Sequence, residues 1–365
     1  MTNLLSVTQW SSSYDSLLDF SDSFALGVSL KVGLVIVLAL TLPLLIGYME
    51  HKVMAHQQGR IGPMEAGPHG TLQLVADGIK FVQKEDIIPA AADKRVFALA
   101  PGLALVPGML VFFVLPLGPG LWAQDLELGL FYALAIGSIG TLGIMMGGWA
   151  SANKFSLFGA IRGAAQLIAY ELPLLLAAAA VALQAETLSM VEIVEAQSTS
   201  ILIPGTGIGM WYVFPQALGF VIFFIAAMAE LNRPPFDMPI ADSELVFGFM
   251  TEYSGIKFAM YLLTEYGGMV SMSGIITVLY LGGWELLPGL GTPGCEGMFD
   301  CTWWGVLIGL GITFAKITAL AFVMVWTRVA WPRLREDQLQ KFSWLVLIPL
   351  SLLNILIVAI GKVVF

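Results

Sequence analysis

Runs of about twenty apolar residues, each long enough to cross a bilayer, recur along most of this chain and constrain its fold more than any other feature. They fall at roughly 24–48, 96–117, 128–150, 167–188, 210–230, 256–283, 303–328 and 343–363. In lipid the backbone must satisfy its own hydrogen bonds, so such runs become helices. The expected fold is therefore an all-α integral membrane protein of about eight transmembrane helices. Residues 1–23 form an acidic N-terminal tail with Asp15, Asp19 and Asp22, and residues 24–365 form a single polytopic membrane domain. The tail has no Lys or Arg, so it lacks the basic start of a secretory signal peptide.

Charge orients the bundle. Segments 49–95, 151–166, 231–255 and 328–342 hold thirteen Lys and Arg, whereas the tail and segments 118–127, 189–209 and 284–302 hold none and carry ten Asp and Glu. The positive-inside bias then puts the basic segments in the cytoplasm and both termini in the periplasm. Within the inner segments, Leu72, Val75, Ile79 and Phe81 suit an amphipathic surface helix. Asn232-Arg233-Pro234-Pro235 interrupts any helix, and Leu245, Val246, Phe249 and Met250 resume at helical spacing.

Several activities are excluded by what is missing. Two cysteines and three histidines cannot supply an ordinary iron–sulfur cluster or a four-Cys zinc site, and no metal ligands are expected. No glycine-rich nucleotide motif is present, and a net charge of −9 excludes nucleic acid as a partner. Any redox cofactor lies on other chains. Cys295 and Cys301 share an outer segment, where an oxidising periplasm permits either a disulfide or two free thiols.

Ionisable residues inside spans are costly and therefore mark candidate sites. Glu171, Glu265 and Lys316 lie within spans, and Glu50 and Glu230 close two of them. Lys31 sits near the outer end of its span and suits snorkelling. Asp237, Asp242, Glu244 and Glu252 crowd into sixteen residues against the single Arg233, where mutual repulsion raises some pKa values. Arg60 sits between two glycines, Gly59 and Gly62, with Ile61 intervening, a setting that favours close contact.

Four stretches carry a family resemblance. Residues 58–80 read QGRIGPMEAGPHGTLQLVADGIK, 153–173 read NKFSLFGAIRGAAQLIAYELP, 229–253 read AELNRPPFDMPIADSELVFGFMTEY, and 326–339 read WTRVAWPRLREDQL. In this order they closely resemble the NuoH family, the quinone-site membrane subunit of proton-translocating NADH:quinone oxidoreductase (respiratory complex I). The resemblance implies a translocase subunit of the bacterial inner membrane, at the membrane end of the quinone chamber. It implies an acidic proton-coupling chain of Glu50, Asp77, Glu171, Glu230, Asp237, Asp242, Glu244, Glu252 and Glu265. It also implies that Arg60, His51, Phe236 and Arg328 shape the quinone chamber or its entrance. Quinone would bind as substrate at a subunit interface, with nothing attached covalently. Iron–sulfur clusters and FMN would sit on partner subunits. The implied partners are the peripheral-arm subunits that complete the quinone site and carry clusters, the small neighbouring membrane subunits, and lipid.

The chain departs from the family pattern at three points. His51 follows Glu50 where the family has Arg, Met64 replaces an Asn, and Pro239-Ile240-Ala241-Asp242 replaces Pro-Glu-Ala-Glu. A related hydrogenase-type or ferredoxin-driven complex shares several of these motifs. An independent cation transporter would also carry charged spans, but no internal repeat of the transporter kind is visible.

Overall fold

The computed structural model describes residues 24–199, 210–288, 291–293, 295 and 302–364. The acidic tail, Cys301 and the side chain of Asp242 lie outside the described residues. Twelve helices occur among the described residues. They are α1 (Phe24–Gln57), α2 (Gln73–Gln83), α3 (Lys94–Val111), α4 (Gly129–Ala150), α5 (Lys154–Ala185), α6 (Met190–Thr199), α7 (Ala217–Glu230), α8 (Asp242–Leu245), α9 (Gly255–Tyr280), α10 (Trp303–Ala330), α11 (Glu336–Phe342) and α12 (Ile348–Val364). A π-helical turn at Ser343–Leu347 joins the last two into one rod.

Seven of these rods are long and apolar enough to cross a membrane, in keeping with the all-α membrane fold. The eighth expected span, 210–230, is helical only over the fourteen residues of α7. At 1.5 Å per residue that is about 21 Å, short of the roughly 30 Å hydrocarbon core. Irregular backbone at this depth is tolerated where protein covers it, and Tyr212 and Gln216 just before α7 are buried.

Two other boundaries differ from the sequence expectation for local reasons. α5 starts at Lys154 rather than near 167, because the Asn153 side chain caps it by accepting from the Phe155 N–H at 2.9 Å. The stretch 241–250 is not one helix. Val246 takes a positive φ of 66° and splits it into α8 and a 3-10 turn at Gly248–Met250. Leu245, Phe249 and Met250 are nonetheless buried, as their spacing suggests. The amphipathic helix is present as α2, with Val75 and Ile79 exposed.

α5 and α9 are the two hubs of the bundle. α5 packs against α4, α7 and α12, and α9 packs against α1, α3 and α10. Small residues allow close approach: a Cβ on Gly143 of α4 would stand 2.5 Å from the Ala104 nitrogen of α3. The loop after α7 folds back onto α5, so that a Cβ on Gly159 would stand 2.7 Å from the Pro239 carbonyl oxygen. Gln166 of α5 fastens that loop, since its side-chain amide reaches the carbonyls of Ala229 at 2.7 Å and Phe236 at 2.6 Å.

Candidate functional site

α1 carries Glu50 to the centre of a group that three other segments complete. Glu50 is fully buried. Arg233, from the loop that the two prolines hold open after α7, donates through Nη1 to Glu50 Oε2 at 2.5 Å. Its Nε lies 2.7 Å from Glu265 Oε1 on α9, and its guanidinium stacks over Tyr266 at 5.0 Å from the ring centroid. Arg328, near the end of α10, donates to the other Glu50 oxygen. Two carboxylates and two guanidiniums thus balance in charge.

Burying such ions costs several kcal/mol each, which only close partners repay. Each member therefore depends on the others for its charge. Arg328 is a third exposed, so the buried quartet reaches the protein surface along that side chain.

A cavity of about 120 Å³ lies between α3, α4, α7 and α9, with room for several waters. Glu265 and Glu230 both line it, together with Asn232, Thr141, Tyr261 and Ile240. One oxygen of Glu230, Oε2, is buried without a hydrogen-bond partner among the described residues. Most of the cavity lining is apolar, so the carboxyls of Glu230 and Glu265, with Asn232 and Thr141, are the groups to which a bridging water can bond. Glu171 on α5 interacts electrostatically with Glu230 and accepts a hydrogen bond from the Ser138 hydroxyl of α4. Arg233 thus links Glu50 to Glu265, Glu265 and Glu230 share the cavity, and Glu230 lies in the field of Glu171. Ile240 faces the cavity from the position where the family pattern places a carboxylate.

The remaining candidates scatter. Asp237 pairs with Arg333 at 2.6 Å. Glu244 pairs with Arg162 at 2.6 Å, and Arg162 also reaches Glu336 at 3.3 Å. Glu252 accepts from Asn153 at 2.5 Å. The acids of segment 231–255 are thus dispersed to separate partners, so the expected mutual crowding is absent among their described side chains. Asp77 of α2 pairs with Lys80 at 3.0 Å. Burial works to raise its pKa, but hydrogen bonds from Lys80 and Gln73 outweigh it and the carboxyl lies below its ordinary value.

His51 faces Asp77 closely enough to add to that effect. Phe236 is buried, its ring tilted on Tyr170 at 5.3 Å. Arg60 is exposed and bonds only locally to Gln58 at 2.9 Å. Lys316 is accounted for structurally, because its ammonium donates to the carbonyls of Leu281, Gly283 and Glu285 at 2.6, 2.9 and 2.5 Å. It thereby closes the C-terminal end of α9, where a cation suits the helix dipole. Cys295 is in a disulfide.

Arg233 is the site residue that sequence reasoning passed over. The visible signal was one basic residue set among four acids directly before Pro-Pro. Only packing could show that its partners are Glu50 and Glu265 rather than its neighbours in sequence.

A sequence model of the family described as NADH dehydrogenase matches residues 30–359. The chain is 45% identical over 318 residues to a subunit of NADH-quinone oxidoreductase from Bacillus mycoides (strain KBAB4), covering 87% of this chain and 88% of that protein. Over the same length and coverage it is 44% identical to the subunit of the same name from Geobacillus kaustophilus (strain HTA426). The family match runs across nearly the whole bundle, through the membrane helices and the loops that build the quartet and the cavity, so the chain belongs to the NADH dehydrogenase family of membrane proteins, the NuoH family.

Proposed function

We propose that this chain forms the membrane end of the quinone chamber of NADH-quinone oxidoreductase and couples quinone reduction to proton translocation through its buried acids. Family membership makes it a subunit of that enzyme, and the electron carriers, iron–sulfur clusters and FMN, belong to partner subunits. The observation that carries the coupling role is the quartet Glu50–Arg233–Glu265–Arg328, which adjoins the cavity shared by Glu265 and Glu230.

Quinone enters laterally beside Arg328 and α2, whose apolar face is exposed. Two-electron reduction of quinone demands two protons and creates negative charge before they arrive. That charge competes with Glu50 for Arg328, and a quartet carboxylate that loses its counter-cation takes up a proton more readily. Two unit charges about 4 Å apart interact by about 4 kcal/mol at an effective dielectric of 20, or roughly three pKa units. A shift of that size is enough to move a proton between Glu265 and Glu230 through cavity water, and onward to Glu171. Ile240 adds no carboxylate to this path, so cavity water must bridge the gap that a Glu would fill.

The basic inner segments support a cytoplasmic site with both termini periplasmic. Gentle purification from the native membrane should recover the chain in a large assembly with inhibitor-sensitive NADH:quinone reductase activity. Glu265→Gln should abolish turnover in an assembled complex. Full turnover in that variant would remove the coupling role, and recovery of the chain alone would remove the complex.

A further inference from the structure

A second buried charged group lies at the opposite end of α9 from the quartet, and the proposed quinone chemistry does not use it. Glu285 follows α9 by five residues and is 3% exposed. Its Oε2 has no hydrogen-bond partner within bonding geometry among the described residues, and neither has the buried indole nitrogen of Trp211. The two atoms flank one point, since a Cβ on Gly282 would stand 2.5 Å from Trp211 Nε1 and 3.2 Å from Glu285 Oε2. Lys316 lies across the group with its ammonium 4.3 Å from the centroid of Trp211. That ammonium spends its three donors on backbone carbonyls. It therefore acts on Glu285 through the field and forms no contact ion pair with it.

The rest of the enclosure is neutral. α6 contributes Gln197, whose Oε1 accepts from the backbone of Tyr212 at 3.2 Å and Gly282 at 3.1 Å, and also Val194, which packs under Gly283. α9 contributes Thr277, whose hydroxyl turns inward to Ser273. Lys316 is thus the charged side chain that faces Glu285 among the described residues.

We propose that Glu285, held in the field of Lys316 and beside the Trp211 indole, is a proton-exchanging site at the far end of this subunit, on the side that the charge asymmetry puts outside. A carboxylate this buried, without a contact cation, is costly to ionise, so it takes a proton readily. Lys316 and the indole N–H limit that cost, so the proton also leaves readily. Burial pushes the carboxyl up to about 7, against the opposing pull of Trp211 and Lys316. The step is a simple one: the carboxyl O–H bond breaks, water or buffer takes the proton, and the carboxylate remains in the field of the ammonium. Leu286 and Leu287 next in the chain are about half exposed, so the site lies within two residues of the surface.

The proposal does not depend on the quinone reading, because the two sites share no residue. The test is infrared difference spectroscopy of the full chain in its native membrane assembly, stepped through pH. The wild type should show a protonated-carboxyl C=O band that titrates near neutral pH, and Glu285→Gln should lose it. Lys316→Met should move the midpoint up by about one pH unit, as removal of a nearby cation does, whereas Lys316→Arg should leave it in place. A spectrum unchanged in Glu285→Gln would overturn the proposal, as would a midpoint indifferent to Lys316→Met. If Lys316→Met does not assemble, the comparison of wild type with Glu285→Gln decides alone.

Discussion

Arg233 illustrates how much one side chain can hold in this protein. It is 1% exposed and pairs with two carboxylates on different helices, the fully buried Glu50 and the partly buried Glu265. Removing one partner of a buried ion pair typically costs about 3–5 kcal/mol, because the other charge stays behind unpaired. Arg233→Gln should therefore lower the melting temperature of the assembled protein and abolish coupled turnover. The double variant Arg233→Gln, Glu50→Gln should recover part of the stability but none of the turnover. Thermal melts and activity on the same preparations check both halves, and equal melting of single variant and wild type would refute the first.

Asp125 offers a test in pH. It is 4% exposed in the segment before α4, accepts from Ser189 at 2.7 Å, and is pushed up to about 6, mainly by burial. A carboxyl raised on folding stabilises the fold when protonated, so its contribution is complete below about pH 4. The contribution is lost as pH rises through about 6. Asp125→Asn should flatten stability over that window and raise it at pH 7 by at most about 3 kcal/mol. Unfolding midpoints measured from pH 4 to pH 7 would reveal the change, and a variant that keeps the wild-type slope would contradict it.

At the scale of elements, the segment between α7 and α9 is the one that builds the site, and it does so with little regular structure. Its path depends on close backbone approach. Gly248 has φ +57°, and a Cβ there would stand 1.7 Å from the Pro239 carbonyl oxygen. Left-handed backbone alone costs a non-glycine residue about 1–3 kcal/mol, and the overlap adds to that. Gly248→Ala should displace the loop from α5, open the cavity wall at Ile240 and Phe249, and lower turnover. Limited proteolysis should then cut within 237–250, where the parent protein resists. The loop was legible in the sequence as Asn-Arg-Pro-Pro, a helix stop, and as buried apolar positions further on. Its split at Val246 was not, because no local rule assigns a β-branched residue a positive φ. Leu245 and Phe249, before and after that kink in the chain, are both buried, whereas Val246 is exposed.

At the scale of the whole molecule, the charge asymmetry of the connecting segments makes a prediction about sidedness. Cysteines placed at the exposed Glu85 and Glu127 should differ in labelling by a membrane-impermeant maleimide. Position 127 should react in whole cells and position 85 only after lysis, each measured against the parent protein. The reverse pattern would invert the bundle and move the quartet to the other side of the membrane.

Hydrophobic run length and loop charge were readable along the chain, because each is a local or additive property of a segment in lipid. They determined the helical fold and the position of most spans, and the cost of a charge in a span singled out Glu50, Glu171, Glu230, Glu265 and Lys316. What those charges do depends on contacts between residues far apart in sequence. Tertiary packing alone gave Glu50 and Glu265 a shared Arg233, opened a cavity between Glu265 and Glu230, and sent Asp237, Glu244 and Glu252 to separate partners. It also turned Lys316 into the closure of α9. A buried charge is stable only beside its counter-charge, and in a bundle of crossing helices that partner comes from a different segment of the chain.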